Sequence, residues 1–309
     1  MSQQRGVIGP GSRVPNRRAA GAVPGAQAGQ AKYPLPKATV TVLQRHSKQG
    51  QPYVGSNLSL ALNKLAGPWA ILDSTQARLD AGTGSGRQQN RRIFLRALLQ
   101  EPGEAREIRQ FMLRRQRALL DSYHTSGWSV CEHRASPEWR FVSGLGMANP
   151  LETNLVLHRI GGFPYIPGSS IKGAVRAYAE LTMDGGPAKP DAPAAAIHPA
   201  ILQVFGAQSQ QGKVIFFDAL PVTTPKLELD VINVHYPDYY GSGQPPTDWQ
   251  DPNPVLFLAV GKATAFSFAV ASRQRDLADQ AMAWLKGALQ NTGLGGKASA
   301  GYGFFVERR

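Results

Sequence analysis

Cysteine is almost missing from these 309 residues, Cys131 being the only one. One thiol excludes a disulfide framework and any CxxC zinc ribbon, and it suits a reducing, cytoplasmic compartment. No Asp or Glu precedes Asp73. Apolar runs are short, and none approaches the roughly 18 residues a membrane helix needs, so no membrane partner is expected. The opening MSQQRGVIGPGSR has charges but no apolar stretch behind them, so no secretory leader is expected either. The six histidines (His46, His124, His133, His158, His198 and His235) include no HExxH pair. With neither thiol nor histidine clusters, no metal and no cofactor is expected.

What the chain does have is positive charge. Lys and Arg total 34 against 21 acids, a formal charge of +13. Such an excess favours a polyanionic partner, nucleic acid or an acidic surface. Residues 1–37 are rich in Gly, Pro, Ala and Gln and carry Arg5, Arg13, Arg17, Arg18, Lys32 and Lys37. They cannot bury enough apolar surface to offset their ordering entropy, so a disordered basic arm is expected there. Residues 38–309 then read as a single elaborated domain.

Within it, ATVTVL at 38–43 is strand-like, and SNLSLALNKL at 56–65 has Leu58, Leu62 and Leu65 at helical spacing behind Ser56 or Asn57 as cap. Two helices are predicted over 88–100 and 104–126, separated by Pro102-Gly103. Between Arg78 and Arg117 lie ten arginines, Arg91 and Arg92 among them, against four acids and no lysine. An apolar stripe of Ile108, Phe111, Leu119 and Leu120 should leave the arginines of this 78–126 segment projecting from the other face, where guanidinium suits phosphate. Short strands follow from Trp139: WRFVSG at 139–144, KVIFFDAL at 213–220, LELDVINV at 227–234, a hairpin of 255–260 and 264–271 across Gly261, and a closing strand at 302–306. Helices are predicted over 169–181 and 274–290. A Pro/Ala/Gly-rich insertion at 182–196 and an irregular loop at 237–254 interrupt the series. Tyr236, Tyr239, Tyr240 and Trp249 suit core or subunit interface more than base stacking. The ladder of strand, helix, strands, helix, strand suits an α+β, ferredoxin-like core.

Two motifs carry chemistry. In FPYIPGSSIKGAVR, residues 163–176, Pro167-Gly168 makes a turn and Ser169 or Ser170 should cap the following helix. Its first-turn N–H groups would form an anion site, which Lys172 and Arg176, four apart on one face, would extend along a phosphate backbone. The bland alternative is a capped helix with two exposed cations. In GLGGKASAGYG, residues 293–303, five glycines in eleven residues join a helix to the last strand. Gly293, Gly295 and Gly296 would allow close approach of the backbone to a ligand, Lys297 would add charge, and Tyr302 a stacking face. The dinucleotide fingerprint fails here because the motif follows a helix instead of opening one, and Walker A fails at Asn291 and Ala298.

Together these two glycine motifs resemble the RAMP superfamily of CRISPR-associated proteins, whose core is an RRM-like version of the ferredoxin-like fold. Gly144-Leu-Gly146, the lead from Leu157-His158 to Tyr165-Ile-Pro-Gly, Phe217-Asp218-Ala219 and the run Asp230 to Tyr240 are similar to the sixth-subunit family of type III-B (Cmr) effectors. The likeness covers about 140–309, with a looser match at 57–64. Ala298 departs from the pattern, which expects Thr or Ser after the lysine, so a phosphate-bonding hydroxyl would move to Ser299. The resemblance implies a subunit without catalytic residues, at the end of the effector backbone, holding the 3′ part of the CRISPR RNA. Its partners would be CRISPR RNA, target RNA and other RAMP subunits of the Cmr complex. His158, Ser169, Ser170, Lys172, Arg176, the glycine loop through Ser299 and Tyr302, and Arg91 with Arg92 would contact RNA. The rival is a RAMP endoribonuclease acting on precursor CRISPR RNA with His158 or His46 as acid or base. Asp218 and Asp230 could hold Mg²⁺, but isolated aspartates more commonly cap or pair.

Overall fold

Among the described residues, five helices and ten strands, besides the helical turns around residue 60 and at Ala298–Ala300, follow one another as α1 (Ser85–Ala97), α2 (Gly103–Thr125), β1 (Ser129–Pro137), β2 (Arg140–Phe141), α3 (Gly168–Thr182) and α4 (Pro199–Phe205). Then come β3 (Gly206–Ala207), β4 (Gln210–Gln211), β5 (Val214–Phe216), β6 (Leu220–Pro221), β7 (Leu227–Val234), β8 (Asn253–Gly261), β9 (Phe266–Ser272), a further helix α5 (Arg275–Asn291) and β10 (Phe305–Glu307). This computed structural model describes residues 57–65, 85–149, 151–183, 197–234, 243, 245 and 253–308. The expected arm at 1–37, the strand at 38–43, most of the insertion at 182–196, and Tyr236, Tyr239, Tyr240 and Trp249 lie outside the described residues, as does His46.

The main sheet runs β10-β1-β9-β5, with β6 also paired to β9, and every pairing is antiparallel. Alternation along β1 and β9 decides what each face meets. Cys131 and His133 sit opposite Val270 and Phe268, while Glu132 sits opposite Ala269. The Cys131 thiol reaches Asp279 of α5, so its face is the one α5 covers. There α5 lies along β1 and β9 and packs on α3. Leu277, Ala281, Leu285, Ala288 and Leu289, at helical spacing, bury its inner stripe. Glu132 on the opposite face pairs with Arg117 of α2 at 2.8 Å. A smaller sheet, β2-β8-β7, stands beside the first.

Several expectations need correction. The central strand β1 is absent from the predicted series, because its buried positions are His133, Ala135, Ser136 and Pro137 with no branched or aromatic run. The run at 213–220 is two strands broken at Phe217–Ala219. Residues 255–260 and 264–271 do not form a hairpin: β8 lies between β2 and β7, and β9 lies between β1 and β5, so the turn after Gly261 carries the chain from one sheet to the other. Only Arg140–Phe141 of the predicted 139–144 strand is ladder-paired. α4 was not expected; Pro199 at its first position and the His198 side chain accepting from Ala200 start it. Asn57, by contrast, does cap the turn at Leu58–Leu60.

The Arg-rich helix is turned from the expected orientation. Ala105, Arg109 and Leu120 are its buried residues, while Phe111 and Leu119 are about half exposed, at 56% and 45%. Arg109 is inside because the Glu101 carboxylate meets it at 2.7 Å. The guanidinium also reaches Pro221 O and Thr224 Oγ1, which fastens α2 to the β6 end of the sheet.

Candidate nucleic-acid interface

α3 begins at Gly168, and its start differs from the expected one. Its N-cap is Pro167, with no side-chain cap of its own, so neither Ser169 nor Ser170 caps; both hydroxyls are exposed in the first turn. The carboxylate of Asp218 serves instead, its Oδ1 accepting the Gly168 N–H at 2.7 Å. An internal anion thus occupies part of the site expected for phosphate, because an acceptor anchored nearby costs less ordering entropy than a free one. The cap also explains the break in the predicted 213–220 strand: Phe217 and Asp218 leave the ladder so that the carboxylate can reach α3. A Cβ at Gly168 would lie 2.3 Å from Phe216 O, so the close approach requires glycine.

Lys172 is half-buried, one turn in. Arg176 is not a free cation, since its Nε meets Glu180 at 2.8 Å and the glutamate is largely buried. Arg91 is also committed, to Glu152 at 3.1 Å and to the carbonyls of Leu151 and Leu256. Arg92 is exposed. Among the described residues Arg92, Arg96, Arg114 and Arg115 make no ion pair, and these are the α1–α2 arginines available to a polyanion.

Between α2 and the Asp218 turn lies an open groove of about 280 Å³, lined by Met112, Arg115, Gln116, Leu119, His158, Phe217, Asp218 and Leu220. Gln116 Nε2 donates to Asp218 O at 2.6 Å and fixes its floor to α2. His158 is stacked on Phe163 at 5.0 Å and meets Tyr165 edge-on at 5.5 Å. Burial lowers the His158 pKa, opposed by the Asp218 charge. Its Nδ1 accepts the Gly161 N–H at 2.9 Å, so the neutral ring carries its proton on Nε2. Sequence spacing could not show that His158 and Asp218 share a groove; it is the turn before α3 that joins them.

The glycine loop is folded on its own chain. Gly296 N–H donates to Val142 O and Gly303 N–H to Arg140 O, each at 2.8 Å. Gly295 has φ +82°, and a Cβ there would stand 2.3 Å from Val142 O. Gly303 is as tight against Leu294 O, and Gly293 faces Gly303 O at 3.1 Å. These glycines therefore admit protein backbone, which corrects the expectation that they open space for a ligand; only Gly296 and Gly301 border space. Lys297 adopts φ +61°, with its ammonium 5.4 Å from both the Phe257 and Tyr302 rings. Ser299 is exposed. Tyr302 offers no stacking face: it is buried, and its hydroxyl is hydrogen-bonded to Asp230. Burial and that bond push its pKa up to about 12. Asp230 also pairs with Arg140 Nη1 at 2.5 Å, and Arg140 Nε with Glu228 at 2.8 Å. The exposed aromatic at this edge is Trp139, 4.8 Å from Tyr302 and overlaid by Arg140 at 4.9 Å. Trp139 opens the predicted 139–144 strand, and the strand pattern alone does not mark it as an exposed aromatic. No group of His, Cys, Asp and Glu suited to a metal occurs among the described residues.

Comparison with known proteins bears on this surface. The model of the RAMP superfamily matches residues 82–306. A "CRISPR system Cmr subunit Cmr6" from Pyrococcus furiosus is 34% identical over 221 residues, covering 54% of this chain and 65% of that protein. A "CRISPR system CMR subunit Cmr6" from Saccharolobus solfataricus is 30% identical over 142 residues, covering 46% of this chain and 44% of that protein. The chain thus spans less than two thirds of either relative. A cryo-EM structure of the type III-B Cmr-beta bound to cognate target RNA contains a chain with TM-score 0.57 and 21% identity, covering 75% of this chain and 77% of that one, a likeness of fold.

Proposed function

From the premise that the chain belongs to the RAMP superfamily and resembles Cmr6 subunits, we propose that it is a non-catalytic RNA-binding subunit of a type III-B CRISPR effector. In this role it holds the 3′ part of the CRISPR RNA at the end of the effector backbone, next to other RAMP subunits. The observation that carries the proposal is the set of α1 and α2 arginines that make no ion pair among the described residues, one of which, Arg115, lines the open groove, on a strongly basic chain. Phosphate contacts from such residues bind RNA with little sequence readout. The ferredoxin-like reading of the core has support in the β10-β1-β9-β5 order with α3 and α5 packed together. Assembly of the effector with and without this chain, followed by nuclease footprinting of the guide, tests the role. Protection of the 3′ end should depend on the chain, and protection of the 5′ end should not. A guide equally protected at both ends without it overturns the proposal.

The endoribonuclease role rests on His158 lining the groove. With Nδ1 engaged by Gly161 and burial opposing protonation, that ring is better suited to donate one hydrogen bond than to shuttle protons. Repeat RNA incubated with the purified chain, with and without Mg²⁺, should remain intact.

A further inference from the structure

We infer that the groove between α2 and the turn before α3 is a ribose pocket, in which Asp218 accepts the 2′-OH of one RNA nucleotide while Arg115 holds the neighbouring phosphate. This rests on the RNA-binding role proposed above and names the part of RNA that this site reads.

The argument starts from the charge at each end. Asp218 is exposed, with Oδ1 committed to Gly168 N–H and Oδ2 without a partner among the described residues. A carboxylate repels phosphate, so whatever part of a nucleic acid meets it must be a neutral donor. Of the groups along a ribonucleotide backbone, only the 2′-hydroxyl is one, and DNA lacks it. Arg115, on the rim and without an ion pair among the described residues, supplies the phosphate contact that the carboxylate cannot. The walls between them are apolar: Met112 and Leu119 from α2, Phe217 and Leu220 from the sheet side. They suit a sugar face or base edge. A pocket of about 280 Å³ with apolar walls and a few convergent polar groups has the make-up and size of a small-ligand site, enough for one nucleoside.

The pocket is also built in advance. Gln116 ties Asp218 O to α2, and the Gly168 bond orients the carboxylate. His158 adds an Nε2–H donor at the same wall, kept neutral by burial. The site therefore offers an acceptor and a donor in fixed positions with a cation beside them, and a ribonucleotide, with its hydroxyl and its phosphate, can use all three.

The test measures binding of the full chain to one unstructured oligonucleotide made as RNA, as 2′-deoxy and as 2′-O-methyl, by fluorescence anisotropy. Wild type should prefer RNA over both analogues by about tenfold, the scale of a hydrogen bond to a charged acceptor. D218N keeps an oxygen for Gly168 but replaces the free acceptor with an amide donor, so the preference should fall towards unity. L119W, on an exposed position, plugs the groove without changing charge and should reduce the preference likewise. R115A should weaken RNA and the deoxy analogue equally. Equal binding of RNA and deoxy analogue by wild type, or a preference unchanged in both D218N and L119W, overturns the pocket while leaving RNA binding standing. Failure of wild type to bind any of the three overturns the proposed function as well.

Discussion

Asp218 closes the N-terminus of a helix that begins fifty residues earlier: its Oδ1 accepts the Gly168 N–H at 2.7 Å. This contact ties the break between β5 and β6 to the start of α3, and it sets one wall of the groove. Asp218→Ala should therefore cost about 1 kcal/mol, and at most about 2, the range for losing a helix cap. Asp218→Asn should retain most of that. Urea denaturation followed by circular dichroism checks both, and an alanine variant as stable as wild type would show the bond to be incidental.

Arg109 with Glu101 predicts a larger loss. Both side chains are 4% exposed and 2.7 Å apart, so removing one leaves an uncompensated buried charge. Arg109→Ala should destabilise by about 3–5 kcal/mol. Arg106→Ala should cost well under ~1 kcal/mol, since Arg106 is exposed and 3.8 Å from the same glutamate. The double change Glu101→Leu with Arg109→Met should recover most of the loss, which separates burial of charge from loss of packing.

Stability should also depend on pH through His133. Burial, then the Lys286 charge, lower its pKa below the usual 6.5, against an opposing effect of Glu307. The unfolded chain therefore binds a proton that the folded one resists, and stability falls as pH drops below about 6.5 towards the folded value. His158 is shifted the same way by burial. Denaturation midpoints measured from pH 7.5 to 5 should decline, and His133→Gln should flatten part of the decline. Midpoints that rise towards pH 5 would contradict the assignment.

RNA binding should weaken steeply with salt. On a single strand each neutralised phosphate contributes a log–log slope near −0.7, so about five contacts give roughly −3.5. Arg92→Ala and Arg115→Ala should each reduce the slope by about one contact, whereas Arg91→Ala should act on stability, because Arg91 is held by Glu152, Leu151 and Leu256. A flat salt titration would remove the electrostatic account.

Helices α1, α2, α3 and α5 were legible, unlike the short α4, because their signals are local: Pro102, the 3.6-residue stripe of α5 and the run after Pro167 each mark a boundary without help from the rest of the chain. Which face of α2 is buried was not legible. Arg109 is inside and Phe111 outside, and only the long-range partners Glu101, Pro221 and Thr224 decide that. β1 was hidden for a related reason: its neighbours β9 and β10 lie more than a hundred residues downstream, and its buried side chains are small or polar. Of the motif residues, His158 lines the groove and Ser169 and Lys172 do not, and no motif marks the groove itself. Its opposite wall comes from α2, which no motif connects to α3.

The glycine loop supplies the last prediction, because structure reverses what its sequence suggests about where a side chain would do harm. A β-branched residue at Gly295 would force a φ of +82° and place its Cβ 2.3 Å from Val142 O and 2.8 Å from Phe141. The strain of that φ alone is of the order of 1–3 kcal/mol, and the contact with a backbone carbonyl cannot be relieved by turning a side chain. Gly295→Val should therefore lower the melting temperature by several degrees or more, before RNA is considered. Gly296→Ala meets nothing closer than 3.8 Å and has no positive φ to keep, so it should fold like wild type. Any loss of RNA binding or of 3′ protection in Gly296→Ala then reports on the ligand side of the loop. Lys297→Ala is the companion, since its ammonium lies over Phe257 and Tyr302 and its loss removes charge together with a cation–π contact. If Gly295→Val melts like wild type, the loop can yield by more than its backbone contacts allow. If Gly296→Ala and Lys297→Ala both fold and bind RNA unchanged, the loop is a structural buckle between α5 and β10, and RNA recognition belongs to α2 and the Asp218 groove.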